Sequence, residues 1–223
     1  MLWQPVALDQ LASKQALASD ALHVWWWPEQ LQPPAASRRL RTDTILRTLL
    51  ARYLPLAPDA LGFERESKGR PYLSHAAAPD FNLSDTRGGC VIAIAGCGRV
   101  GIDIECCDRT LPVDRLATRW FAADEAEQLR AMDPEHARRA FLRSWTAKEA
   151  SCKATGTGIY GRLAAWRFAI SDNDTSPRVV ALPPEAGDAA EWRFHRLAPA
   201  ETHTVALACR DNIALPQCCA VVR

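Results

Sequence analysis

The sequence predicts an α+β protein made of two similar lobes, and three observations carry that expectation. Two helical stretches, 37–53 and 134–155, are each followed by strand-like runs, so the second half echoes the first. Between them, short strands lead into Val100-Gly101-Ile102-Asp103-Ile104-Glu105, where apolar and acidic residues alternate. With 223 residues and 48% hydrophobic content, the chain can bury one sizeable core or two small fused ones. The expected division is residues 1–102 and 103–223, fused as one unit.

Net charge is +1 with 24% charged residues, so no global field draws the chain to nucleic acid or to a membrane surface. No apolar run approaches the roughly 20 residues of a membrane span, and Gln, Asp and Lys interrupt the first 22 residues where a secretory segment would be apolar. The eight cysteines show no C-x-x-C pair and no histidine at zinc-finger spacing. They read as reduced thiols, mostly core fillers, in a cytoplasmic protein.

Residues 1–20 form a short amphipathic segment. Leu22 to Trp27, stopped by Pro28, reads as a strand with aromatics on both faces; a binding platform of three tryptophans is the alternative. Pro33-Pro34 breaks the chain before a helix from Ser37 to Tyr53. Its apolar stripe is Leu40, Ile45, Leu49 and Leu50, with Leu46 and Tyr53 beside it. Arg38, Arg39, Arg41, Arg47 and Arg52 decorate the remainder, either as a phosphate-binding face or as a solvated one.

Pro55 and Pro58 end that helix. A short strand is expected over 63–67, then a turn carrying Lys68 and Arg70. Strands over 81–84 and 90–95 flank an Asp85–Gly89 turn, and Gly96 and Gly98 turn the chain into the acidic strand. No G-x-G-x-x-G opens a helix here, so this is not a dinucleotide fingerprint. Strand alternation puts Asp103 and Glu105 on one face about 7 Å apart, with Ile102 and Ile104 in the core. Two such carboxylates suit a hard divalent cation, or simply make a solvated acidic edge.

Short helices follow over 114–121 and 124–132. Asp133-Pro134 then starts a helix that runs to about Thr155, where Gly156 and Gly158 stop it. Spacing of four places Trp145, Glu149 and Lys153 along one side. They make either an exposed Glu–Lys pair worth about 0.2–0.5 kcal/mol or a third carboxylate and a cation for the acidic strand. Strands are expected over 166–171, 178–182, 192–197 and 202–209.

Gly101-Ile102-Asp103-Ile104-Glu105, followed some way on by Trp145-Thr146-Ala147-Lys148-Glu149-Ala150 and Lys153, resembles the signature of 4′-phosphopantetheinyl transferases. Length and spacing resemble the larger, monomeric, surfactin-synthetase-activating class. Gly69-Arg70-Pro71-Tyr72, Phe81-Asn82-Leu83-Ser84, Trp120-Phe121 with Glu125, and the weaker Arg47-Thr48-Leu49-Leu50 extend the likeness over residues 38–160.

The resemblance implies two α+β lobes related by a pseudo-two-fold, with coenzyme A contacts in the first and metal and catalytic residues in the second. It implies transfer of 4′-phosphopantetheine from coenzyme A to a serine of an apo acyl or peptidyl carrier protein, releasing adenosine 3′,5′-bisphosphate. Asp103, Glu105 and Glu149 would hold Mg²⁺, Glu149 would take the serine proton, and Lys153 would steady the pyrophosphate. Arg70 would meet the coenzyme A 3′-phosphate, with Arg38, Arg39 and Arg41 contributing, and Thr48 and Ser84 would lie near the nucleotide. The carrier would dock over 114–132 of a monomer. One position departs from the pattern: Asp85 stands where family members commonly have His, and a carboxylate repels phosphate unless a metal or an arginine intervenes. Arg87 is a candidate to screen it. A coenzyme A or carrier-protein binding module without turnover, and an unrelated Mg²⁺-dependent phosphohydrolase, are the alternatives.

Overall fold

The computed structural model describes residues 2–173, 175–210 and 213–223. Chain order begins β1 (Gln4–Ala7), β2 (Leu22–Pro28), α1 (Arg38–Ala51), β3 (Phe63–Arg65), β4 (Pro71–Leu73), β5 (Asp80–Thr86), β6 (Gly89–Ala95) and β7 (Arg99–Cys106). There follow α2 (Val113–Trp120), α3 (Ala123–Arg130), α4 (Pro134–Thr155), β8 (Arg167–Phe168), β9 (Val179–Ala181), β10 (Trp192–Leu197), β11 (His203–Arg210) and β12 (Gln217–Val222). The class is α+β. A long helix lies on a sheet twice, once in each half.

The first sheet has the order β1-β12-β2-β6-β5. β2 pairs antiparallel with β6 and parallel with β12, and is buried on both faces. Trp25 and Trp27 enter the core beneath α1, while Trp26 enters the opposite core, as strand alternation requires. The tryptophan run is therefore core, and the Trp25 indole N–H donates to the Tyr53 hydroxyl at 2.9 Å. Ser37 caps α1 by accepting from the Leu40 amide at 3.3 Å. Ile45, Leu46, Leu49 and Leu50 face Trp25 and Trp27. Leu40, placed in that stripe by its spacing, is instead 55% exposed in the first turn.

The second sheet has the order β10-β11-β7, and α4 packs on it. Asp133 caps α4 through the Glu135 amide at 3.0 Å, and Gly156 ends it at φ 70°. The contact face of α4 is built from small residues: Ala147, Ala150 and Ala154 meet Ala206 and Ala208 of β11. Gly101 of β7 takes this closest, since a Cβ there would stand 2.0 Å from the Ala150 carbonyl oxygen.

Side chains link the sheets. Asp80, Asn82 and Ser84 occupy alternate positions on β5 and all reach β7: Asp80 accepts from the Val100 amide at 2.8 Å, Asn82 from the Ile102 amide at 2.9 Å, and Ser84 donates to Asp103 at 2.7 Å.

The expected division at residue 102 falls inside β7, and β12 returns to the first sheet, so the halves interleave. Expected strands over 63–67 and 166–171 shorten to Phe63–Arg65 and Arg167–Phe168. Cys90, Cys106, Cys152, Cys209, Cys218 and Cys219 are buried. Among the described residues no helix is long and apolar enough to cross a membrane.

Candidate active site

A cavity of about 640 Å³ opens where β5, β7 and the C-terminal half of α4 meet, with the first residue of α1 at its edge. Strand alternation on β7 sends Ile102 and Ile104 into the core between the sheets and turns Asp103 and Glu105 to the cavity. One helical turn separates Glu149 from Lys153, so α4 presents both to the same space. Four of the expected residues thus converge from two elements distant in sequence.

Asp103 is 3% exposed. Its Oδ1 accepts from Lys153 Nζ at 2.6 Å and from the Ser84 hydroxyl at 2.7 Å, while Oδ2 is buried without a hydrogen-bond partner. Lys153 Nζ also lies 3.7 Å from Glu149 Oε2 and 3.0 Å from the Ser84 oxygen. Glu105 accepts from Arg109 Nη1 through both oxygens at 2.9 Å.

The electrostatics follow from burial and crowding. Burial, then the neighbouring Asp103 charge, pushes Glu149 up to about 7. Burial and Asp103 also raise Glu105, which Arg109 partly opposes. For Lys153, desolvation pulls the ammonium pKa down, but Asp103 and Glu149 outweigh it and the net shift is upward.

The donor set suits a hard divalent cation: three carboxylates on one cavity, two with raised pKa, and a buried carboxylate oxygen lacking a partner. The three are not gathered into a ready coordination shell. Lys153 sits against Asp103 and Arg109 against Glu105, and among the described residues no three acidic, histidine or cysteine side chains are drawn together tightly enough to hold a metal.

Other expected residues divide. Arg38 lines the cavity and pairs with Asp85, so Arg38 rather than Arg87 meets that carboxylate; Arg87 pairs with Asp108. Arg39 lines a neighbouring cavity of about 510 Å³ with Leu40, Phe63 and Arg65, and Arg41 a smaller one beside Arg38. Arg47 and Arg52 bond backbone carbonyls, at Pro58 and Leu61 and at Gln10 respectively.

Two expected residues lie outside the main cavity, and Arg70 instead borders a smaller one of about 250 Å³ beside Lys153. Thr48 lies nearly three turns beyond Arg38 on α1, and its hydroxyl donates to the Thr44 carbonyl at 2.9 Å, so it does not line the cavity. Arg70 is 7% exposed and spends its guanidinium inside the protein. It forks onto Asp80 at 2.9 and 2.8 Å and donates to the Phe81, Val100 and Lys153 carbonyls at 3.1, 2.9 and 2.9 Å. Arg70 therefore ties both sheets to α4 and does not present itself to a phosphate in the main cavity.

Sequence reasoning missed Asp80, the partner of Arg70, and Arg109, the partner of Glu105. It also missed that Lys148, beside Glu149, is fully buried and paired with Glu125 at 2.8 Å. Glu125 additionally accepts the Ala122 and Phe168 amides, binding α3 and β8 to α4. Glu125 and Lys148 both lie in the quoted motifs; neither residue type alone signals a buried pair.

A family model described as the 4′-phosphopantetheinyl transferase superfamily matches residues 99–208. The 4′-phosphopantetheinyl transferase HetI of Nostoc sp. is 32% identical over 218 residues, covering 93% of this chain and 86% of the relative. The 4′-phosphopantetheinyl transferase Sfp of Bacillus subtilis is 30% identical over 125 residues, covering 56% of this chain and 54% of the relative. Among solved structures, the holo-[acyl-carrier-protein] synthase of Thermotoga maritima aligns with a TM-score of 0.36 at 24% identity, covering 51% of this chain and 62% of that one.

Proposed function

Since the chain belongs to the 4′-phosphopantetheinyl transferase superfamily, we propose that its main cavity binds coenzyme A and Mg²⁺ while a carrier-protein serine approaches Glu149. The chain transfers the 4′-phosphopantetheine group of coenzyme A to a serine of an apo carrier protein, giving the holo carrier and adenosine 3′,5′-bisphosphate. The observation that carries the site assignment is the convergence of Asp103, Glu105, Glu149 and Lys153 on one cavity.

Asp103, Glu105 and Glu149 are the residues that would hold Mg²⁺, with Lys153 and Arg109 moving from the carboxylates toward anionic substrate. When bound, the cation supplies charge neutralisation on the pyrophosphate. Glu149 accepts the serine proton as the hydroxyl attacks the β-phosphorus of coenzyme A. The bond from that phosphorus to the bridging oxygen breaks, and the nucleotide bisphosphate leaves with that oxygen. Lys153, held cationic by its two carboxylate neighbours, places positive charge where the leaving group gathers negative charge. No nucleophile from this chain is needed, because the acceptor serine brings one.

The halves divide this work. Residues 1–102 contribute Arg38 and Ser84 toward coenzyme A, and residues 103–223 the carboxylates and Lys153. The carrier docks on α2 and α3, which follow directly on the cavity-lining segment ending at Thr110. The enzyme acts as a cytoplasmic monomer in this reading. A binding module without turnover is disfavoured, since every residue of the catalytic set is present on the cavity.

Intact-mass spectrometry of an apo carrier protein incubated with the chain, coenzyme A and Mg²⁺ tests the reading. The expected result is a gain of one phosphopantetheine that EDTA abolishes. Coenzyme A consumed without any carrier, or no gain across acyl and peptidyl carriers, would overturn it.

A further inference from the structure

Arg38 and Asp85 meet at the edge of the cavity, where Arg38 Nε donates to Asp85 Oδ2. The pair stands between two spaces, the main cavity and one of about 260 Å³, and both residues line both. The two partners differ in stiffness. Asp85 belongs to β5, paired with Cys90 of β6, and its side chain is 28% exposed. Arg38 is the first residue of α1, with a side chain 62% exposed. A long arginine in that position has many rotamers open to it unless something fixes it.

The bond to Asp85 uses the Nε edge of the guanidinium. It leaves the terminal amino groups, the fork that matches two oxygens of one phosphate, without another partner among the described residues. Alone, Asp85 would repel a phosphate. Paired, it adds no net charge, and the ligand meets a donor fork already aimed.

We propose that Asp85 is a positioning residue that holds Arg38 so that its terminal amino groups receive a phosphate of coenzyme A. This rests on the reading of the main cavity as the coenzyme A site.

The test is steady-state transfer with coenzyme A varied, and calorimetric binding of coenzyme A, for the wild type, Asp85→Asn, Arg38→Ala and the double variant. Asn keeps the size of the side chain and removes its charge. The expected result is a rise of about three- to fivefold in KM and Kd for Asp85→Asn, as suits one exposed ion pair, with kcat at saturation unchanged. In the Arg38→Ala background the Asp85 change should then add nothing. An unchanged or lowered KM for Asp85→Asn, or a rise that persists without Arg38, overturns the proposal. A wild type that transfers normally beside a silent Asp85→Asn defeats the positioning role alone. A wild type that neither binds coenzyme A nor transfers from it defeats the cavity reading, and the proposal with it.

Discussion

Gly101 and Ala150 approach so closely that a Cβ on the glycine would stand 2.0 Å from the alanine carbonyl oxygen and 2.5 Å from the Ala154 amide nitrogen. Both clashes are with backbone, which a rotamer change cannot relieve. This contact sets how near α4 lies to β7, and so how near Glu149 and Lys153 lie to Asp103. Gly101→Ala should cost at least the ~1–3 kcal/mol typical of overpacking and should lower kcat more than it raises the KM for coenzyme A. Urea denaturation and steady-state kinetics on one preparation check both; wild-type stability would mean that α4 is free to move.

Glu149→Gln keeps the shape of the side chain and removes both its basicity and its charge. Turnover should fall by about 10²- to 10⁴-fold, the range for a lost proton acceptor, while the fold persists. Asp103→Asn should fall comparably through weakened cation binding. Single-turnover transfer to an apo carrier measures each, and near wild-type rates in either would remove that residue from the chemistry.

Lys148 and Glu125 form a buried pair in which neither charge reaches solvent. Lys148→Met would leave the buried Glu125 charge with two backbone amides and no countercharge, at a cost of about 3–5 kcal/mol. The double change Lys148→Met with Glu125→Gln should recover part of it. Chemical denaturation of the single and double variants decides; equal losses would mean that the pair contributes no coupling.

Arg70→Ala should act on stability before affinity. Removing the guanidinium leaves Asp80 and three carbonyls without their donor, and the loss should again be about 3–5 kcal/mol. Coenzyme A KM, measured at a temperature where the variant stays folded, should change less than twofold. A large rise in KM with little loss of stability would return Arg70 to the substrate site.

Glu149 sits at about 7 when folded against an ordinary value of 4.5, and Glu105 is raised as well. Between those pH values the folded chain holds protons that the unfolded chain has released, so stability falls as pH rises. His23 and His195, whose pKa values burial lowers, pull the other way, so the Glu149 contribution is read by difference: in EDTA, Glu149→Gln should gain melting temperature relative to the wild type from about pH 5 to about pH 7.5. Mg²⁺ should raise the melting temperature more at the upper pH, where the carboxylates are free to bind it. Calorimetry gives both readings, and a Glu149→Gln profile that runs parallel to the wild type over this range would contradict the assignment.

Much of this site is local enough to read along the chain. Asp133-Pro134 and Gly156 bracket α4, and alternation alone assigns Asp103 and Glu105 to one face. What joins strand to helix is not local. The bond from Lys153 to Asp103 depends on Gly101 letting the elements touch, and no spacing rule links residues fifty apart. Arg70 shows the same limit: a basic residue in a Gly-Arg-Pro turn looks available, and its bonds to Asp80 and three carbonyls are invisible along the chain. Charge is visible in a sequence, whereas its partner belongs to the fold. β1 and β12 escaped because they pair with each other from opposite ends of the sequence, and neither Gln-Pro-Val-Ala nor Gln-Cys-Cys-Ala-Val-Val carries an alternating pattern.

The place of β12 between β1 and β2 also bears on how the protein is made. During synthesis, β2 emerges nearly two hundred residues before its parallel neighbour, with three tryptophans waiting on an unfinished sheet. β1 can dock only after residues 217–222 have left the ribosome. The nascent first half must then keep an apolar edge covered, and chaperone demand should last until residues 217–222 emerge.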